Sequence, residues 1–571
     1  RASSVVDVRL SEGDMNEHHS TFSIGVTDGR FQIEGPIKKG VLSYNVALRH
    51  GWVEAFLKPI LKVVDVPDVS YSNDYTKDGH YAFTDLNAKF TWLKGPRDKI
   101  CFNAYAGYDF MSFIYGRRDG MIGGTQNSSM KEISKDANRW GNFLLAAVWD
   151  REFSARRKMQ STYYFTNGYY NALNLNKSVS KDRKYTYKHV ESDISSVYDL
   201  GIKVDFTDRT FNRHALSYGA SLVNHLFTPV ANDHLYLDDE ASDKYINEKN
   251  SEGSLYNSPE LSVYAEDEYA ITPVLYLNAG LRYMLFVVMK GVYNKLEPRL
   301  ALSYVPSRAF SFKLAYTEMN QPVHQMESYE NNYPGTYWMP ATVRMKPMLA
   351  RQWVAEAEWR PNHMLLLNVA GFWKDMRHLY GYIGSRNLPS PAAWETQFVE
   401  GRGRSSGFEF FGEFQNELWE LSLGYTLSWT MRNFEAFYDG WYSDRYDNRH
   451  NIVFNSIYKA HRLVDMYATW TYRSGNRYTL PQYEIEGDGR SAYVPNNFQL
   501  PAYHRLDLGM NFRAKTKNKG HDYTVSFGVY NVYCRRNPVF IRYSEDVYDR
   551  PIVRMTSVFP ILPSFRYSMN F

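Results

Sequence analysis

The sequence predicts an all-β fold, a 22-stranded antiparallel transmembrane β-barrel. Three observations carry that prediction. The 571 residues are polar on average, with a mean hydropathy of −0.50, yet 16 % are aromatic and 47 are Tyr. Apolar and polar residues alternate with period two through most of the chain. The connections between alternating stretches come in two sizes, short and long. A barrel in lipid produces this combination, because polar lumen residues dilute lipid-facing ones nearly one for one. The longest apolar runs, around "YMLFVVM" at 283–289, reach about eight residues, far short of the roughly 18 of a transmembrane helix.

The alternation is explicit in several stretches. Phe102, Ala104, Ala106, Tyr108 and Phe110 alternate with Cys101, Asn103, Tyr105, Gly107 and Asp109. From Trp419, the residues Leu421, Leu423, Tyr425, Leu427, Trp429 and Met431 alternate with Glu420, Ser422, Gly424, Thr426, Ser428, Thr430 and Arg432. Leu506, Leu508, Met510 and Phe512 repeat the pattern, and Phe565, Tyr567, Met569 and Phe571 carry it to the last residue. A soluble sandwich also alternates. Long strands, with aromatic residues near their ends as interface girdles require, favour the barrel.

Short connections fall at "GPIKKG" 35–40, "KGPRDK" 94–99, "WDREF" 149–153, "FTDRTF" 206–211, "AITPV" 270–274, "VPSRA" 305–309, "WRPNH" 359–363, "FQNEL" 414–418, "YKAHR" 458–462 and "RAKTKNKGH" 513–521. Long ones are expected near 51–79, 116–138, 171–192, 230–258, 322–349, 381–402 and 477–499. "VTDGR" at 26–30 reads as a tight hairpin on an Asp-Gly turn. Ten short turns and eleven outer connections make twenty-two strands, which puts both ends of the barrel on one side. Short turns on that side and long loops on the other match an outer membrane, with both barrel ends periplasmic.

Charge and cysteine content narrow the function. Sixty-six basic and 62 acidic residues leave a net charge of +4, which argues against a nucleic-acid partner. The two cysteines, Cys101 and Cys534, are too few for a disulfide framework, and the topology separates them. The chain begins at Arg1 with no signal peptide, so it reads as a processed or trimmed piece of something longer.

Several stretches resemble the TonB-dependent receptors of Bacteroidota, including their SusC-like branch. "SSVVDVRLSEGD" at 3–14 resembles the last strand of a plug domain running into the barrel, and "FQIEGPIKKGVLSYNVALR" at 31–49 the first periplasmic hairpin. "EPRLALSYV" at 297–305, "TEMNQPVHQ" at 317–325, "YWMPATVRMKPMLARQW" at 337–353, "VEGRGRSSGFEFF" at 399–411, "LPAYHRLDLGMNF" at 500–512 and "YNVYCRRNP" at 530–538 continue the resemblance in order. It implies a barrel over 17–571, with residues 1–16 the remnant of an N-terminal plug domain. It also implies transport without chemistry on the substrate and no resident cofactor. Substrate would bind the outer loops, and the TonB complex would pull the plug open through a TonB box outside this sequence. Outer-membrane lipid and lipopolysaccharide, and a SusD-like or other surface lipoprotein, are the further partners.

No catalytic constellation appears: GxSxG, HExxH and P-loop motifs are all missing. His18 and His19 are adjacent on a strand and so point to opposite faces, which suits solvated residues better than metal ligands. The acidic "NDHLYLDDEASD" at 232–243 does not match an EF-hand, and "GDGR" at 487–490 is a turn. The substrate-binding candidates are loop residues beside polar neighbours: Tyr333, Tyr337 and Trp338 in the seventh outer loop, Trp394 in the eighth, Trp441 and Tyr442 in the ninth, and Arg477, Tyr478 and Tyr483 in the tenth. Aromatic faces suit sugars, peptides or flat chelates. The bland alternative is that these rings pack loop on loop. Import of a siderophore, haem, cobalamin, oligosaccharide or peptide is the leading function. A scaffolding subunit of a secretion or assembly complex and a passive pore are the alternatives.

Overall fold

In lipid every backbone N–H and C=O must be paired within the protein, so a sheet that spans a membrane has to close. A computed structural model of the chain describes residues 8–55, 74–117, 130–180, 185–240, 244–328, 335–383, 394–480, 494–515, 521–545, 551–557 and 561–571. It shows that closure. The barrel strands are β1 His19–Gly25, β2 Asp28–Lys38, β3 Leu42–Gly51, β4 Asp74–Gly95, β5 Asp98–Arg117, β6 Met130–Ser154, β7 Arg157–Ser180, β8 Tyr185–Asp208, β9 His214–Glu240, β10 Tyr256–Thr272 and β11 Leu275–Val288. The circuit continues through β12 Gly291–Ser307, β13 Phe310–Gln321, β14 Met348–Trp359, β15 Leu365–Tyr382, β16 Phe398–Gln415, β17 Trp419–Asn433, β18 His450–His461, β19 Val464–Arg473, β20 Tyr503–Lys515, β21 Asp522–Tyr530 and β22 Leu562–Asn570. Each pairs antiparallel with the next, and β22 pairs with β1. The sheet is a closed 22-stranded barrel, as the alternation and turn count predict. Among the described residues no helix is long and apolar enough to cross a membrane.

The seam joins the two ends of the sequence. Thr21 stands opposite Asn570 and Gly25 opposite Arg566. Phe571 exchanges backbone hydrogen bonds with Ser20 at 2.7 and 2.9 Å. Asp28 fixes the seam from inside, accepting from Arg30 at 3.1 Å, Arg49 at 2.9 Å and Arg566 at 2.7 Å.

This hub explains one departure from the sequence reading. The first hairpin turns on Val26–Thr27, not on Asp28–Gly29, because the Asp28 carboxylate is buried among three guanidinium groups. The turn expected at 149–153 also shifts, to Ala155–Arg156. Ser154 Oγ accepts from the Arg156 and Arg157 amides at 3.3 and 3.1 Å. Asp150 and Glu152 stay in the ladder, bonded across it to Gln160 and Lys158.

The largest departure is in height. The expected loops at 171–192 and 230–258 are mostly strand. β7, β8 and β9 run 24, 24 and 27 residues, and Lys244–Gly253 returns along the upper part of β9. A 24-residue strand spans ~80 Å, where a membrane needs only about 9–11 residues. One side of the wall therefore rises far above the lipid belt. On the other side, Met289–Lys290 is the whole connection between β11 and β12.

The inner wall is polar, and at the short-turn end the N-terminal segment lies against it. Ser43 Oγ donates to the Glu12 carbonyl at 2.8 Å, Lys89 Nζ to the Leu10 carbonyl at 3.0 Å, and Lys99 Nζ to Glu12 Oε1 at 2.8 Å. These contacts are hydrogen bonds and an ion pair, not apolar packing. Cys101 is buried and Cys534 exposed; both are free thiols.

The seam is directly testable. Ser23 Oγ and Ser568 Oγ lie 3.0 Å apart across β1 and β22. Cysteines at both positions, in a Cys534→Ser background, should form a disulfide on mild oxidation. Electrophoresis after denaturation should show a faster, reducible band. A band that never forms would contradict closure at this register.

Candidate functional site: the loop-end mouth of the barrel

The mouth is partly covered by its own loops, folded inward. The loop between β13 and β14 carries a hairpin in which Val323–Ser328 pairs with Gly335–Pro340. That hairpin crosses to the inner face of β7–β9. Tyr337 is only 2 % exposed and meets Tyr170 edge to face at 5.3 Å, while Tyr170 Oη donates to Asn138 Oδ1 at 2.8 Å. The Trp338 amide donates to Ser195 Oγ at 3.2 Å. Further along, Ala341 packs on Met284, Phe286 and Val288, the inward residues at the top of β11.

A second loop locks onto the first. Trp394 opens the short 3₁₀ turn Trp394–Gln397, is 1 % exposed, and donates Nε1–H to Tyr256 Oη at 3.0 Å. It joins Tyr170, Val230, Tyr337, Met339 and Met345 in one apolar cluster. Thr342 Oγ donates to Glu395 at 2.8 Å, bridging the two loops. The result is an apolar plate held to the inner wall by a few directional bonds.

One member of the plate is poorly matched to its place. His324 is 3 % exposed, edge to face with Tyr380 at 5.0 Å, and its Nε2 has no partner. Burial holds its pKa down at about 4, and the nearby His378 pushes the same way.

Beside the plate runs an ionic belt that the sequence reading missed. Asp199 Oδ1 lies 2.7 Å from His225 Nδ1, and His225 Nε2 lies 3.8 Å from Glu260. Arg282 donates to Glu260 at 2.7 Å, to Ser262 at 2.6 Å and to Glu297 at 2.8 Å. Glu297 also accepts the Asn320 amide at 2.6 Å. The belt stitches β8 through β13, six consecutive strands. Inward parity was the available signal, but parity does not say which inward residues become neighbours.

The predicted site residues divide by placement. Tyr333 and Tyr483 lie outside the described residues. Tyr337, Trp394 and Tyr442 are buried, so their rings serve loop packing in this structure. Trp338, Trp441, Arg477 and Tyr478 keep partial exposure. The Arg404 guanidinium lies 4.5 Å over the Trp441 ring, and that of Arg445 lies 4.5 Å over Tyr478. Arg477 and Arg449 converge on the buried Asp447, at 3.8 and 3.1 Å. The structure thus gathers the ninth- and tenth-loop candidates and separates them from the plate. Arg344 and Lys346, which the sequence reading did not select, stand exposed on the turn that ends the plate. Among the described residues no group of three or more His, Cys, Asp or Glu could hold a metal ion.

A polar-lined 22-strand barrel with inward-folded loops has counterparts among known proteins. The family model described as "TonB dependent receptor-like, beta-barrel" matches residues 65–532, most of the chain. The chain belongs to that family. It is a family of receptors, not of enzymes, and its barrels are of the outer-membrane type. No curated protein sequence matches this receptor barrel. Three solved structures share its fold. The ferric-catecholate import receptor Fiu from E. coli K12 aligns at 13 % identity and TM-score 0.58, over 98 % of this chain and 82 % of its own. The siderophore receptor PiuA from Acinetobacter baumannii gives 14 % and 0.59, over 98 % and 82 %. The ferric yersiniabactin uptake receptor FyuA from Yersinia pestis gives 11 % and 0.61, over 98 % and 80 %.

Two measurements test this geometry. Glu297→Ala leaves Arg282 half-paired and the Asn320 amide without its acceptor. The expected cost is about 3–5 kcal/mol, read as a lower unfolding midpoint in detergent, with Glu297→Gln intermediate. The second concerns His324, whose pKa is lower folded than unfolded. The unfolded loop then binds more protons between about pH 6.5 and 4, so the plate loses stability as pH falls through that window. The protection factors of amides in residues 322–347, taken relative to their intrinsic exchange rates at each pH, should fall between pH 7 and 4.5, and His324→Phe should abolish the fall.

Proposed function

We propose that this receptor imports a ferric siderophore across the outer membrane, by binding at the loop-end mouth and TonB-driven opening of a plug. The observation that carries the reading is the mouth itself: an inward-folded apolar plate edged by the exposed cations Arg344 and Lys346. Aromatic and cationic groups together suit an anionic metal chelate. The three fold relatives named above are a ferric-catecholate import receptor, a siderophore receptor and a ferric yersiniabactin uptake receptor, which supports the same substrate class. Among the sequence candidates, Trp338, Trp441, Arg477 and Tyr478 keep the exposure that contact with such a ligand requires, which supports them as its contacts in this reading.

In this reading the short-turn end is periplasmic and residues 1–16 belong to the plug. The contacts of Glu12 and Leu10 with the inner wall support that assignment. The SusC-like affiliation rests on the sequence motifs alone, and with it a SusD-like cap.

The test is uptake of radiolabelled iron by receptor-deficient cells expressing the full-length gene, with catecholate, hydroxamate and mixed chelates supplied in turn. One class should enter, and entry should stop when TonB is deleted. Replacing both Arg344 and Lys346 by Ala should raise the half-saturating concentration roughly tenfold, the loss of one or two charge-assisted contacts. Uptake that persists without TonB would replace the import reading with a passive pore.

A further inference from the structure

On the outward face of β3–β6 the charged residues lie at the two ends of an apolar belt, with Lys94, Asp98 and Arg151 at the short-turn end and Arg139 and Lys135 at the other. Facing lipid on these strands are Leu42, Val46 and Leu48; Leu86, Ala88 and Phe90; Phe102, Ala104 and Ala106; and Phe143, Leu145 and Ala147, several of them well exposed. This belt is bounded at the short-turn end by Trp92 and Trp149. The Lys94 ammonium lies 5.9 Å from the Trp92 ring and the Arg151 guanidinium 5.8 Å from that of Trp149. Ten residues up β6 from Trp149, on the same face, stands Arg139, and ten up β4 from Trp92 stands Ala82. A tilted strand crosses the hydrocarbon in about 9–11 residues. Arg139 therefore sits at the second interface, on the loop-end leaflet.

At that level the outward surface opens into a cleft of about 340 Å³ lined by His50, His80, Ala82, Thr84, Tyr108, Phe110 and Arg139. The Arg139 guanidinium lies 5.5 Å from the Phe110 ring, and the His80 ring lies 5.3 Å from it on the neighbouring strand. His50 Nδ1 is 2.9 Å from Thr84 Oγ1. Arg139 has no ion-pair partner among the described residues. Between the cleft and the short turns the one outward acid of these four strands among the described residues is Asp98, at the far end, where it accepts from Trp149 Nε1 at 2.9 Å and pairs with Arg151 at 3.6 Å. A second outward arginine group differs. Arg377 and Arg404 share Asp375 at 3.3 and 3.7 Å, and Arg377 faces Arg402 across β15 and β16.

We propose that the cleft on β3–β6 binds a phosphate of a phosphorylated glycolipid, the lipid A of the outer leaflet. Arg139 supplies the fixed charge and planar donor fork that match phosphate. His80 and His50 flank it as further donors, and Tyr108 and Phe110 meet the first acyl carbons at the interface. An uncompensated guanidinium at a membrane interface needs an anion, and the leaflet offers one at that height. The choice of lipid A rests on the proposed orientation, in which loop-end means outer leaflet.

The test uses the full-length receptor purified in mild detergent and exchanged into phosphatidylcholine nanodiscs with defined amounts of lipid A. Native mass spectrometry counts the lipid A molecules retained. Arg139→Ala combined with His80→Ala should lower retention roughly tenfold, the size of one lost charge-assisted contact. Arg404→Ala should leave it unchanged, because Arg404 lies outside the cleft and already has Asp375 within ion-pair distance. Unfolding midpoints of each variant confirm that the barrel is intact. Equal retention by the double variant would overturn the proposal, as would equal retention of dephosphorylated lipid A. Phosphatidylglycerol bound as tightly through Arg139 would overturn lipid A as the ligand. Orientation is read separately. Arg360→Cys, at a short turn, should resist a membrane-impermeant maleimide on intact cells in a Cys534→Ser background; labelling there would overturn the orientation and leave the binding result standing.

Discussion

Backbone pairing in a solvent without hydrogen bonds is the constraint on which the rest of this molecule depends. Each strand must find two partners, so the sheet has to meet itself, and β1 and β22 do so through Ser20 and Phe571. Closure then divides every strand into a lipid side and a lumen side. The Asp28 hub is a consequence. Three arginines from β2, β3 and β22 converge on one buried carboxylate because the seam brings the two ends of the chain together.

The same division sets the electrostatics of the wall. Charges confined to the lumen side must satisfy one another across neighbouring strands. In the belt from Asp199 to Asn320 this is done by alternation, with His225 and Arg282 each set between two acids. Burying such groups costs several kcal/mol each unless the remaining hydrogen bonds are also made. Ser262 and the Asn320 amide make them. The belt then forms a firm wall beside which the apolar plate packs. The plate covers Met284 and Phe286, which would otherwise face the aqueous lumen.

The molecule thus combines a rigid frame with parts held by fewer bonds. The barrel ladder is continuous. The plate depends on one apolar cluster, a handful of side-chain bonds and a histidine that must stay neutral. At the other end, residues 8–18 touch the wall through hydrogen bonds from the buried Ser43 and Lys89 and a more exposed ion pair, Glu12 with Lys99. Exposed ion pairs of this kind contribute roughly 0–1 kcal/mol each. These side-chain contacts lie outside the backbone ladder, which does not depend on them.

Much of the fold was legible in the sequence, because the period-two pattern and the turn residues are local. Asn362 and Asn416 sit at short turns and bond the amides two and three residues on, as their side chains favour. Strand number, closure and the two-sided arrangement of connections follow from such signals. Strand length did not, for β7–β9. Leu173 and Leu175 do alternate with Asn174 and Asn176, but the Asn-rich stretch there and the acidic run after Val230 carry the polar composition of a loop, so composition masked the strand. The mouth was legible least. Tyr337 and Trp394 were readable as loop aromatics, but their burial needs Tyr170 and Tyr256, which lie more than a hundred residues away. Arg282 and Glu297 were readable as inward charges without their shared role. Sequence period assigns each residue a face; only the closed sheet decides which residues on that face meet.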